Sequence, residues 1–211
     1  MAVSQSPRWR RRKEERPAEI VAAALAVFAE KGFAAARVED IAARAGVSKG
    51  AVYLYFADKQ ALFRAVVAEV APNLERIEAL AAQHQGDFPG LVRALLPQLA
   101  RTAGESRLGA VAKVVIGESR NFPELARIWH DALVSRALTL AAGLIARAQA
   151  RGEVREGDPR AYAFGLVAPL VMGLIWRETF TPVGAEPFDL PELARQHAET
   201  ALEGMLKRRA A

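Results

Sequence analysis

From Pro17 onward apolar residues recur at helical spacing, no stretch alternates with the two-residue period of a strand, and no internal repeat occurs. The expected fold is therefore all-α. A first helix is expected from about Pro17 to Glu30, with Ile20, Ala24, Val27 and Phe28 as its apolar stripe and Gly32 as its stop. A second fits Val38 to Ala45, with Val38, Ile41 and Ala42 facing inward, and Gly46 is suited to the turn conformation that L residues resist. Ser48 caps a very short third helix ending at Tyr55. Asp58 opens a fourth that runs toward Ala82 and bends at Pro72.

Five more helices follow, punctuated by Pro and Gly, which makes about nine in all. Openings are expected at Asp87 with Pro89, near Leu108, at Asn121 with Pro123, at Asp158 with Pro159, and at Asp189, where Glu192 can cap reciprocally. The chain divides on this reading into a flexible basic arm (1–16), a three-helix segment (17–64) and a larger helical domain (65–211).

The 211 residues are 52% apolar, enough for a sizeable core, and contain no cysteine, which excludes disulfides, thiolate metal sites and thiol nucleophiles. A reducing cytoplasm suits such a chain, and the opening MAVSQSPRWRRRKEER leads into charge rather than the apolar run of a secretory signal. The run AFGLVAPLVMGLIW, residues 163–176, falls short of the ~20 residues of a bilayer span and reads as a buried helix, so no membrane partner is expected. The net charge of +5 is uneven. Residues 1–64 hold 12 Lys/Arg against 7 Asp/Glu, and the rest hold 17 of each. Excess positive charge in the first third suits contact with phosphates or an anionic surface.

Two short helices joined by a tight turn containing Gly, IAARAGVSKGAVYLYF, form a helix-turn-helix whose second helix is narrow enough for the DNA major groove. On a helix from Ser48 to Tyr55, Val52 and Phe56 point inward, leaving Lys49, Ala51, Tyr53, Leu54 and Tyr55 on the outer surface. Hydroxyls and an ammonium suit phosphates and base edges, the Ala51 methyl suits a thymine methyl, and Gly50 permits close approach. Lys59 is poorly placed for the helix dipole and well placed for another phosphate. In a generic three-helix segment the tyrosines would be packing residues and the lysines merely solvated.

The stretch IVAAALAVFAEKGFAAARVEDIAARAGVSKGAVYLYFADKQALFRAVV decides between these readings, because it resembles the DNA-binding domain of the TetR/AcrR family of bacterial transcriptional regulators. The matching elements are FAEKGF, VEDIA, AGVSKG and YLYF followed by DK and AL, over about residues 17 to 66. The resemblance implies that Tyr53 and Lys59 contact phosphates, that Lys49, Gly50, Ala51 and Tyr55 lie at or near base edges, and that Ser48 caps the recognition helix. One departure stands out. Where the family has Thr or Ser before the second helix, this chain has Ala36 and Arg37, so a hydroxyl cap is lost while Arg37 brings a charged phosphate contact.

The later part, from GESRNFPELARIW to the Trp176 helix, resembles the carboxy-terminal region of AcrR-like members, which implies a ligand-binding and dimerisation domain. The helix from Pro159 to Phe180 is apolar on nearly every side, with Gly165, Pro169 and Gly173 offering small residues at four-residue spacing for a second subunit. A two-fold dimer implies an inverted-repeat operator on double-stranded DNA. Trp129, His130, Phe164, Met172 and Trp176 are the candidate pocket residues for an unidentified small-molecule effector, expected to be hydrophobic or a cationic, aromatic-stacking molecule.

Catalytic patterns are not found. His84, His130 and His197 lack metal-ligand spacing, GESRN around Ser119 lacks the second glycine of a nucleophile elbow, and no phosphate loop occurs, so no cofactor, metal or catalytic residue is expected. The expected function is a cytoplasmic homodimeric repressor released from DNA by its ligand. The alternatives are an activator of the same fold, which a reporter assay would separate, and an all-α binding protein or enzyme that does not use DNA.

Overall fold

Good helix formers bounded by Pro, Gly and short polar caps produce helices here, and the computed structural model shows little else. It describes residues 8–71 and 74–207, with side chains from Arg16 onward apart from that of residue 76. The elements are α1 (Arg8–Ala35), α2 (Val38–Arg44), α3 (Lys49–Tyr55), α4 (Lys59–Val70), α5 (Leu74–Gln83), α6 (Phe88–Glu105), α7 (Leu108–Glu118), α8 (Pro123–Trp129), α9 (Ser135–Ala150), α10 (Pro159–Thr179) and α11 (Leu190–Met205). A π-helical turn, His130–Val134, carries α8 directly into α9, and a 3-10 turn, Thr181–Val183, follows α10. Counting Pro123–Ala150 as one gives ten helices among the described residues. The tenth arises because the expected fourth helix is two, α4 ending at Val70 and α5 beginning at Leu74. Pro72 itself lies outside the described residues.

The backbone forms two compact units. One comprises residues up to 69 together with 114–128, and the other 70–113 together with 129 onward. The boundary expected from sequence, a single cut near residue 65, therefore misses a segment of the first unit.

In the first unit α1 begins at Arg8 rather than at Pro17, since Arg, Lys and Glu favour helix and outweigh the one hydrogen bond that Pro17 cannot donate. Part of the expected arm is thus helical, and residues 1–7 lie outside the described residues. Gly32, at φ 76° and ψ 170°, breaks the helix as expected. Ile20, Ala24, Val27 and Phe28 are buried with Ile41, Val52, Phe63 and Val66. Phe28, Phe33 and Phe63 form a mutually tilted triplet with centroids 5.4–5.9 Å apart, and Phe122 joins it edge-on to Phe33 at 5.1 Å. This is why residues 114–128 belong here: an aromatic from a remote segment completes the core.

The second unit is built on α6, α9, α10 and α11, whose core includes Phe88, Leu96, Ile145, Leu166, Leu170, Leu174, Ala198 and Leu202. Asp87, Asp158 and Asp189 cap α6, α10 and α11 through Gly90, Arg160 and Glu192 N–H groups at 2.8–3.0 Å. The reciprocal half of the expected α11 box does not form, because the Glu192 carboxylate is taken by Arg195 and Gln196. An isolated antiparallel bridge between Val154 and Leu206 ties the α9–α10 connection to the end of α11.

The helix α10 is not wholly buried, contrary to the expectation for its apolar run. Phe164 is 65% and Met172 58% exposed, with Gly165 and Val171 on the same outward side. The apolar character also extends beyond that run: Pro123–Ala150 and Pro159–Val183 are long and apolar enough, by length and composition, to cross a bilayer. Gly173 points the other way. A Cβ there would lie 2.6 Å from Leu190 Cδ2 and 3.1 Å from Leu193 Cδ2, so its smallness serves α10–α11 packing within the subunit. Steps of four residues drift about 40° each around a helix, which puts Gly165 and Gly173 about 80° apart and explains why they do not share one flank. Pro169, between them, is half-buried.

Candidate nucleic-acid interface

The α2–α3 pair is held from both ends by local chemistry. Gly46 adopts φ 66°, and the turn closes with Val47 N–H donating to Ala42 O at 3.0 Å. Ser48 Oγ accepts from Ala51 N–H at 3.1 Å, capping α3 as expected. Val52 is fully buried, which contributes about 2 kcal/mol and fixes the rotation of α3 about its axis. With that rotation fixed, Lys49, Gly50, Tyr53 and Leu54 are exposed, while Ala51 and Tyr55 are half-buried at the flanks. Tyr53 is 46% and Leu54 83% exposed.

Arg37 is the exposed residue before α2 and makes no side-chain cap. The loss is compensated from within the helix, where the Asp40 carboxylate accepts from Arg37 N–H at 3.2 Å and pairs with Lys31 at 3.0 Å. The hydrogen bond from Lys31, joined by that from the Arg37 backbone, lowers the Asp40 pKa. The Arg37 guanidinium is left on the surface.

Lys49 is paired in the isolated chain. Its Nζ lies 2.6 Å from Glu39 Oε1 on α2 and 5.8 Å from the centroid of the Tyr53 ring. That hydrogen bond lowers the carboxyl pKa and raises the ammonium pKa. Both groups are exposed, so the pair is open to exchange with another anion.

Lys59 is placed differently from the sequence expectation. Its Nζ donates to Phe33 O at 2.6 Å, Ala36 O at 3.0 Å and Ala34 O at 3.3 Å, and sits 4.5 Å from the Phe33 ring centroid. All three protons are directed at the carbonyls that follow the Gly32 break. Burial lowers the ammonium pKa against the opposing charge of Glu118. Glu118, which no sequence motif singled out, is the second group at this loop. Its carboxylate accepts from Ala34 N–H at 3.1 Å, at the same loop that Lys59 holds. Gln60 reaches Glu124 at 3.0 Å. Only residue spacings of tens of positions connect these groups, and no local pattern signals them.

The candidate pocket residues do not converge. Phe164 and Met172 face outward, and His130 is exposed with its Nδ1 2.8 Å from Asp131. Trp129 is half-buried. Trp176 packs on Phe180 and Phe188 at 4.9 and 5.4 Å and donates Nε1–H to Glu186 O at 3.0 Å.

Residues 20–66 match the model for bacterial regulatory proteins of the tetR family, and residues 82–190 match the tetracyclin repressor-like C-terminal domain. The fatty acid metabolism regulator protein of Bacillus subtilis is 27% identical over 199 residues, covering 92% of this chain and 98% of its own length. Among solved structures, a TetR family transcriptional regulator from Pseudomonas syringae is 29% identical with TM-score 0.67, covering 90% of this chain and 95% of that one. SmeT of Stenotrophomonas maltophilia, in complex with triclosan, is 27% identical with TM-score 0.73, covering 91% and 92%. With both the helix-turn-helix unit and the larger helical region matched, the chain belongs to the TetR family and is a ligand-responsive, DNA-binding transcriptional regulator.

Proposed function

We propose that the protein is a homodimeric repressor that binds an inverted-repeat operator through α3 and is released by a small hydrophobic or aromatic molecule. The observation that carries the DNA-binding half is the exposed row Lys49, Gly50 and Tyr53 on a helix whose rotation is fixed by Val52 and Ser48. On this reading Tyr53 and Arg37 contact phosphates, and Lys49 exchanges Glu39 for a phosphate or a guanine edge. Gly50 gives the duplex close approach, with Ala51 and Tyr55 at the edges of the footprint. Lys59 acts one step back, positioning the loop that carries Arg37.

The outward apolar side of α10, with Phe164, Gly165, Val171 and Met172, is read as the subunit interface and not as a membrane-facing surface. A second copy would cover it and bring two α3 helices to one operator. A hydrophobic or aromatic effector is supported by two relatives whose names state their ligands or pathways, the fatty acid metabolism regulator and the triclosan-bound SmeT. For the ligand to act, it must bind one spacing of the recognition helices better than the other. Such a protein works in the cytoplasm, where its DNA is.

The test is fluorescence anisotropy with DNA flanking the protein's own gene, against random DNA, over a salt series. Tight binding confined to an inverted repeat and reversed by acyl or aromatic compounds is the expected result. Weak, sequence-blind binding that vanishes with salt would sink the reading.

A further inference from the structure

The exposed row of α3 carries two features that a solvated helix surface does not need. Gly50 lies within the helix and outside the positive-φ region, and a Cβ there would meet nothing of its own chain nearer than Ser48 Oγ at 3.9 Å. Glycine is a poor helix former, so neither backbone conformation nor internal packing accounts for it. Four residues on, and therefore over the same face, stands Leu54, whose 83% exposure is the highest of the described large hydrophobic side chains. A missing side chain and an exposed apolar one are thus stacked on one stripe, bordered by Lys49 and Tyr53. Local rules broken at two neighbouring positions mark a surface that another molecule completes.

The edges of bases in the major groove are hydrogen-bond donors and acceptors with one apolar exception, the C5 methyl of thymine. We propose that Gly50 and Leu54 form a notch that reads a thymine methyl, making Leu54 a specificity-determining residue. This rests on the DNA interface described above. Gly50 supplies the room, and Leu54 supplies the apolar contact that would otherwise remain in water. Ala51, the methyl expected from sequence to do this, is half-buried with its N–H held by Ser48. Leu54 replaces it because the burial of Val52 turns position 54 outward.

The test uses the full-length protein and an operator selected from the DNA flanking its gene. Each thymidine of a half-site is replaced singly by deoxyuridine, which removes only the methyl group, and dissociation constants are measured for wild type and Leu54→Ala. One position per half-site should weaken wild-type binding roughly three- to tenfold and leave Leu54→Ala unaffected. Gly50→Ala should keep or raise the melting temperature, since alanine favours helix, while losing affinity for the same operator. Equal deoxyuridine effects on wild type and Leu54→Ala at every position, or normal binding by Gly50→Ala, would overturn the notch. Failure to select any preferred operator would overturn the underlying DNA reading, and would be visible before any thymidine is replaced.

Discussion

The Nε2 atom of His197 on α11 lies 3.0 Å from the carbonyl oxygen of Gly165 on α10. The usual helical donor to that carbonyl is the N–H of residue 169, and residue 169 is proline. A carbonyl only accepts, so Nε2 carries the proton, and the histidine replaces a backbone bond that the sequence of α10 removes. His197→Ala should cost about 1 kcal/mol. In a Pro169→Ala background, where residue 169 regains its N–H, the same substitution should cost clearly less. Urea unfolding of the four proteins at one concentration measures the coupling, and equal losses in both backgrounds would remove His197 from this role.

Lys59 and Tyr53 should separate folding from recognition. Lys59→Ala leaves three carbonyls without their charged donor and should lower stability by about 2 kcal/mol, with DNA affinity falling alongside. Tyr53→Ala removes an exposed side chain and should leave the unfolding midpoint unchanged while weakening binding to specific and random DNA alike. Wild-type stability in Lys59→Ala would mean that the three carbonyls find water at no cost.

Glu39 holds the Lys49 ammonium at 2.6 Å, and on the proposed reading DNA must take it from that carboxylate. Glu39→Gln frees the ammonium and removes a negative charge from the DNA-facing side, so affinity should rise about threefold or more and the salt slope should steepen by up to about one counterion. Because the Lys49 hydrogen bond lowers the Glu39 pKa, the carboxylate stays charged at neutral pH and mild acidification does not mimic the variant. Unchanged affinity would place Lys49 away from the DNA.

Phe164 and Gly173 test which side of α10 meets the second subunit. Phe164→Glu puts a charge on the outward apolar side and should give a folded monomer by sedimentation, with loss of cooperative inverted-repeat binding. Gly173→Val should instead destabilise the subunit by about 1–3 kcal/mol, because its Cβ would crowd Leu190 and Leu193. A dimeric Phe164→Glu protein would move the interface elsewhere.

Glu192 gives a pH dependence with a defined sign. Hydrogen bonds from Arg195 and then Gln196 hold its carboxyl at about 2, against an ordinary value of 4.5. A depressed acid contributes stability that is present above the ordinary value and is lost as pH falls toward the folded one. Melting temperatures between about pH 5 and pH 2 should therefore fall less for Glu192→Gln than for wild type, by a small amount because the group is exposed. Parallel curves would show that the ion pair forms equally in the unfolded chain.

Much of the helical layout was legible because helix signals are local. Ser48, Asp87, Asp158 and Asp189 cap residues two or three positions away, and Gly32 and Gly46 act on their own dihedral angles. The Ile20–Phe28 stripe and the inward Val52 follow from a 3.6-residue period. The short FAEKGF to YLYF stretch sufficed for the family. Where reading failed, the deciding partner was remote: Lys59 binds carbonyls 23 to 26 residues away, and Glu118 meets Ala34 across 84 positions.

The amino-acid sequence alone determined that this is an all-α protein with a helix-turn-helix near its start, since periodicity, caps and turn glycines are short-range effects. Tertiary structure alone decided that Phe122 completes the core of the DNA-binding unit, that Lys59 serves carbonyls rather than standing free, and that Gly173 faces α11 while Phe164 faces outward. Which of several competent partners a side chain meets depends on how packed helices are rotated, and that rotation is set by contacts between residues far apart in the chain.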